Sequence, residues 1–112
     1  MLKVHAKNLE TMSVLYLQGQ IVNGETEILR NAVHSISGES AVILDLARVT
    51  TIDAHGVGVL LDLRQQSLSN GRRFKLMNVG RPVSRILEIT RLDSVFEITS
   101  EAKLFPAFSF AA

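Results

Sequence analysis

Ala41-Val42-Ile43-Leu44-Asp45-Leu46, joined by a short connection to Asp53-Ala54-His55-Gly56-Val57-Gly58, is the stretch on which the fold turns. The first run has the length and β-branched content of a strand buried on both faces. The residues from Val57 to Asn70 read as a helix. At about 100° per residue, Val57, Leu60, Leu61 and Leu68 gather on one side of it, and Gly58, Asp62, Gln65, Gln66 and Ser69 on the other. Val59 falls near the polar side, where it is either incidental surface or part of a partner contact. Ligands and partners meet open α/β sheets at the carboxyl ends of strands. The junction at Asp53 is therefore the expected functional site.

Upstream, Leu2 to Lys7 alternates apolar and basic residues, the pattern of an edge strand whose lysines discourage edge-to-edge pairing. Ser13 to Gln18 forms a second strand that stops at Gly19, with Asn8 to Thr11 as the hairpin turn. Asn23 is the expected cap of a helix that runs to Gly38 and turns Ile28, Leu29, Ala32, Val33 and Ile36 inward and His34 outward. Downstream, Asn70-Gly71 ends the second helix and Arg72 to Val79 supplies a strand. A Pro82-led helix carries Val83, Ile86, Leu87 and Ile89 inward. A short apolar segment at Val95 to Ile98 precedes a last helix begun by Thr99 or Ser100, carrying Ala102, Leu104 and Phe105 and ended or kinked by Pro106. Phe105, Phe108 and Phe110 then need cover, either by packing back on the sheet or by self-association into a homodimer. Alternating strands and helices predict an α/β fold over residues 1–112, a single domain. Its central mixed sheet has about four to five strands with an amino-terminal hairpin and about four flanking helices.

Composition removes several function classes. A formal net charge of +1, with no basic block, argues against nucleic acid as a partner. No apolar run approaches the ~18 residues needed to cross a bilayer, so membrane insertion is not expected. The absence of cysteine removes disulfides, thiol catalysis and Cys-ligated zinc, and the expected location is the cytoplasm.

Asp45, Asp53 and His55 are the acidic and imidazole groups that the reading places near one sheet end. Two carboxylates and one imidazole fall short of the three or four convergent ligands of a metal site, so no metal and no cofactor is predicted. Asp45, interrupting an apolar strand, is expected to accept hydrogen bonds from the following loop. Asp53 is expected to cap the helix through the amides of residues 55 and 56. Gly56 and Gly58 permit close backbone approach at the helix start. Gly-x-Gly alone lacks the further glycine of a dinucleotide fingerprint and the Gly-Lys-Ser/Thr of a P-loop. No enzyme activity is expected, since the chain lacks a nucleophile beside a base.

Four ordered blocks, Val42 to Asp53, Gly56-Val57-Gly58, Asn70 to Val79 and Leu87 to Phe96, resemble the STAS domain, the family of bacterial anti-sigma factor antagonists that also occurs at the cytoplasmic end of sulfate transporters. The resemblance spans nearly the whole chain and implies a single STAS domain. It implies a non-enzymatic regulator in a partner-switching pathway, binding an anti-sigma factor that is also a serine kinase. In that family, phosphorylation of a hydroxyl in an Asp-Ser-Ser/Thr-Gly turn abolishes binding. Here the turn is Asp53-Ala54-His55-Gly56, so the phosphoacceptor position falls on His55 and the hydroxyl is missing. The implied contact surface is Asp53, Ala54, His55, Gly56, Val57, Val59 and Asp62, supported by Asp45 and Gly58. Binding is then constitutive or governed elsewhere, with His55 a candidate for pH sensitivity and Thr50 or Thr51 candidates for a displaced phosphosite. The alternative is a structural STAS subunit of a larger assembly, such as a transporter ATPase complex or a stress-signalling scaffold. Arg91 stands where the family often has glycine ending a helix. A left-handed cap costs arginine free energy, so a different helix exit is expected there.

Overall fold

The apolar run at Val42 to Leu46 is the centre of the sheet, with Val42, Ile43 and Leu44 fully buried. In the computed structural model, which describes residues 1–38 and 41–104, five strands and four helices follow one another. They are β1 (Lys3–Asn8), β2 (Met12–Ile21), α1 (Glu27–His34), β3 (Ala41–Ile52), α2 (Ala54–Ser69), β4 (Phe74–Met77), α3 (Arg81–Ile89), β5 (Glu97–Thr99) and α4 (Glu101–Leu104). The strands lie in the order β1-β2-β3-β4-β5. The β1–β2 hairpin is antiparallel and every other pair is parallel, as expected of a mixed α/β sheet.

Successive strand side chains point to opposite faces, and the two faces differ. Leu15, Leu17, Leu44, Leu46, Phe74 and Leu76 lie in the main core with the buried sides of α1, α2 and α3. Val14, Ile43 and Met77 form a smaller cluster on the other face, against which Met12, Tyr16, Ala41 and Leu104 pack.

Two strands run further than the sequence pattern indicates. β2 continues through Gly19 to Ile21, and β3 continues past Leu46 to Ile52. The reason is two one-residue slips in their pairing. Tyr16 pairs with Asp45 but Gln18 with Arg48, and Gly19 pairs with Val49 but Gln20 with Thr51. Each slip inserts a residue into β3 and breaks the two-residue period by which a strand is recognised. Gly19, at φ 117°, takes the second slip, and a Cβ there would stand 2.5 Å from the Met1 carbonyl oxygen. Thr50, the inserted residue, donates its hydroxyl to the Gly19 carbonyl at 3.2 Å. Thr50 and Thr51 thus lie within a strand rather than in a loop.

The helices differ in detail from the pattern. α1 begins at Glu27 after Thr26, not at Asn23, and Ile28 is 47% exposed. The buried stripe of α2 runs along Gly56, Val59, Leu60, Leu63 and Ser67, so Val59 is core and Leu68 is exposed. The centre line of that stripe is carried by a glycine and a serine, which add nothing to an apolar pattern, so the apparent face is rotated. Pro82 sits in the first turn of α3 as expected, with Val83 and Leu87 buried, but Ile89 is exposed. Arg91 takes the left-handed conformation after all, at φ 59°, and Leu92 donates its amide to the Leu87 carbonyl at 2.8 Å. The helix thus ends as it would with glycine. The expectations for Phe105, Pro106 and the phenylalanine-rich tail fall outside the described residues.

Candidate functional site

Asp53 follows the last residue of β3 in an extended conformation, with φ −109° and ψ −177°, and caps α2. Its Oδ1 accepts the Gly56 amide at 2.8 Å. Its Oδ2 accepts the Asn23 amide at 3.0 Å. The amide of residue 55 takes no part in the cap; the second partner comes from the β2–α1 loop instead. Asp53 donates its own amide to the Ile21 carbonyl at 3.3 Å. The carboxylate thus ties the start of α2 to the β2–α1 loop, and the amide ties it to the end of β2. The Asn23 and Gly56 amides, in that order, outweigh burial and hold the Asp53 carboxyl below the usual aspartate value, with a smaller contribution from His55.

That shift fixes a pH dependence. A carboxyl whose pKa is lower in the folded state contributes stability that is present above its unfolded pKa and lost as pH falls through the folded one. The difference in urea midpoint between the wild type and Asp53→Ala is therefore expected to be constant near neutrality. It should shrink as pH falls below the ordinary aspartate range, and a difference that grew on acidification would contradict the cap.

Gly56 is buried where the first turn of α2 meets β2, and a Cβ there would lie 1.9 Å from the Ile21 carbonyl oxygen. Gly58 faces open space within 4 Å, so of the two glycines only Gly56 serves close approach. Val57 is 7% and Val59 1% exposed. Neither they nor Gly56 presents side-chain surface to solvent. Ala54, His55 and Asp62 are exposed, and Asp53 and Gly58 are half-buried.

The site also contains a feature the sequence pattern does not reveal. His55 Nε2 and Thr26 Oγ1 are hydrogen-bonded at 3.3 Å, Arg30 donates to Asp62 at 3.1 Å, and His34 Nε2 meets Gln66 Oε1 at 2.7 Å. Thr26, Arg30 and His34 recur every fourth residue, and so form one row along α1. They meet a matching row on α2, so three polar links bind the two helices along their length. Thr26 is buried and uses its hydroxyl on His55 rather than to cap α1. A four-residue recurrence of polar residues was visible in the sequence; the pairing between helices was not.

Asp45 does not join this group. It is buried inside β3 opposite Tyr16, accepting the Ala47 amide at 2.8 Å and the Asn78 side-chain amide at 3.2 Å. It accepts hydrogen bonds, but from its own strand and from Asn78 rather than from a following loop, and eight residues of extended chain separate it from Asp53, about 25 Å at the rise of a strand. The acid/base grouping of Asp45 with Asp53 and His55 therefore dissolves. Among the described residues no cluster of three acidic, histidine or cysteine side chains could hold a metal ion. No helix among them is long and apolar enough to cross a membrane.

The family model described as the STAS domain matches residues 3–111. A putative anti-sigma factor antagonist from Thermotoga maritima is 31% identical over 61 residues, which are 54% of this chain and 54% of that protein. The match thus spans about half the length of the curated relatives. The crystal structure of a putative anti-sigma factor antagonist from Thermotoga maritima superposes with a TM-score of 0.80 at 19% identity, covering 93% of this chain and 92% of the other. The Bacillus cell fate determinant SpoIIAA in its phosphorylated form superposes with a TM-score of 0.70 at 15% identity, covering 95% and 99%. At these identities the structural likeness establishes the fold.

Proposed function

The chain belongs to the STAS domain family, and from that premise we propose that it is a non-enzymatic binding module of the anti-sigma factor antagonist type, whose contact surface is the exposed start of α2 and which is not switched by phosphorylation there. The partner is an anti-sigma factor or a related serine-kinase-like regulatory protein. The contact residues are Ala54, His55 and Asp62, with the Asp53 cap setting their position. The observation that carries the reading is the turn itself: Asp53 and Gly56 keep a rigid helix start, and the two exposed side chains between them, a methyl and an imidazole, carry no hydroxyl.

Phosphorylation of a hydroxyl at such a turn adds about two negative charges and three acceptor oxygens. Beside the Asp53 carboxylate, both of whose oxygens are already occupied by backbone amides, that charge meets repulsion. Ala54 and His55 offer a serine kinase no hydroxyl, so the surface stays in its binding state.

Capture from the native host with the tagged protein, followed by incubation of the complex with ATP, tests this. An anti-sigma kinase is expected among the captured proteins, no phosphate should appear on the peptide containing residues 53–56, and Ala54→Arg with Asp62→Ala should weaken the complex at least about tenfold. Phosphate on that peptide sinks the proposal, as does capture of a transporter ATPase or a multi-subunit scaffold in place of the kinase.

A further inference from the structure

The sheet face opposite α1, α2 and α3 carries a second, independent arrangement of polar groups. The first pairing slip decides it. Without an inserted residue, Arg48 would point to the same face as Leu46. With it, Arg48 pairs with Gln18 and shares the opposite face with Asp45 and Tyr16. Asp45 secures the slip by accepting the Ala47 amide, and Asn78, in the left-handed region at φ 55°, holds the other carboxylate oxygen.

The consequence is two rows across three strands. Lys3, Gln18 and Arg48 form one, and His5, Tyr16 and Asp45 form the next, two residues along the strands or about 7 Å away. They line a cavity of about 600 Å³ to which Glu101 also contributes. Neither Lys3 nor Arg48 has an ion pair among the described residues. The His5 and Tyr16 rings lie 6.4 Å apart and tilted by 41°, and together offer a bent aromatic wall. Burial first, then the carboxylates of Asp45 and Glu101, raises the Tyr16 phenol above its usual value and keeps it a neutral donor.

We propose that this cavity is a ligand site for a small planar aromatic acid that carries a hydrogen-bond donor at the end opposite its carboxylate. The carboxylate lies between Lys3 and Arg48, where charge-assisted hydrogen bonds are strongest. The ring lies on His5 and Tyr16. The donor end points to Asp45 and Glu101, whose negative charges disfavour a second anionic group there. The volume is in the range of small-molecule sites. The site lies on the opposite sheet face from α2 and does not depend on the partner reading.

The test is an amide chemical-shift titration of the full chain with 6-hydroxy-2-naphthoate. Saturable shifts are expected at residues 16–18 and 47–48. 2-Naphthoate, which lacks the donor, and 2-naphthol, which lacks the carboxylate, should both bind more weakly. Lys3→Ala with Arg48→Ala should weaken binding about tenfold or more without lowering the urea midpoint, since both residues are exposed and neither has an ion pair among the described residues. Arg48→Lys, which keeps the charge, should retain most of the affinity and excludes a folding artefact. Shifts that do not saturate, shifts confined to α2, or equal affinity in the double variant overturn the proposal.

Discussion

Gly56→Ala is expected to destabilise the domain by about 3 kcal/mol or more, an effect at the upper end of overpacking. The added methyl would stand 1.9 Å from the Ile21 carbonyl oxygen and 2.9 Å from both the Ile21 carbonyl carbon and Ile52 Cγ1. None of these atoms retreats cheaply. The carbonyl is backbone at the end of a strand and accepts the Asp53 amide, and Ile52 is buried against the helix. Relief requires moving the first turn of α2 away from β2, which also breaks the Asp53 cap. Set against a typical total of about 5–15 kcal/mol, the loss is severe. Gly58→Ala, two residues on, provides the contrast. Its Cβ meets nothing within 4 Å, and removing a glycine from a helix interior stabilises by about 0.5–1 kcal/mol. Urea unfolding of both variants checks the pair; similar midpoints for the two would show that Gly56 has no special role.

Val59→Asp is expected to cost about 3–5 kcal/mol, because it places an unpaired carboxylate at a position 1% exposed. Arg30, the arginine bonded across the α1–α2 seam, is already held by Asp62. Asp62→Ala, although it breaks that ion pair, should change stability by no more than about 1 kcal/mol, the usual range for an exposed pair. The two variants separate stability from recognition on one helix. Circular dichroism with urea titration should find Val59→Asp largely unfolded and Asp62→Ala folded. Wild-type stability in Val59→Asp would return Val59 to the surface and undo the assignment of the α2 core stripe.

The contrast between these residues also shows how far the chain could be read in advance. The strand at Val42 to Leu46, the hairpin turn, the Pro82 helix start and the Asp53 cap each rest on local chemistry that the residues display directly. The extension of β3 to Ile52 does not, because two inserted residues scramble the alternation that would announce it. Nor does the inner face of α2, where Gly56 and Ser67 mark the middle of the buried stripe without apolar character. Arg91 illustrates a third case, a left-handed backbone conformation that the residue itself disfavours. At the site, the cap and the close-approach glycine were legible. The exclusion of Val57 and Val59 from the surface was not, since it depends on where the helix sits on the sheet. The links to Thr26, Arg30 and His34 need tertiary contact to be seen at all.

Those links have a bearing on motion. α1 has eight residues, and a helix shorter than about 12 residues is marginal unless tertiary contacts hold it. Its buried Leu29 and Val33 supply part of that support, and the rest comes from α2 through Thr26, Arg30 and His34. The two helices are thus one cooperative unit of local opening, with protection of the α1 amides set by the state of α2. A partner that draws His55 onto its own surface removes the first of the three links. Such binding loosens α1 from its amino end, so the imprint of occupancy extends to a helix that no partner need touch.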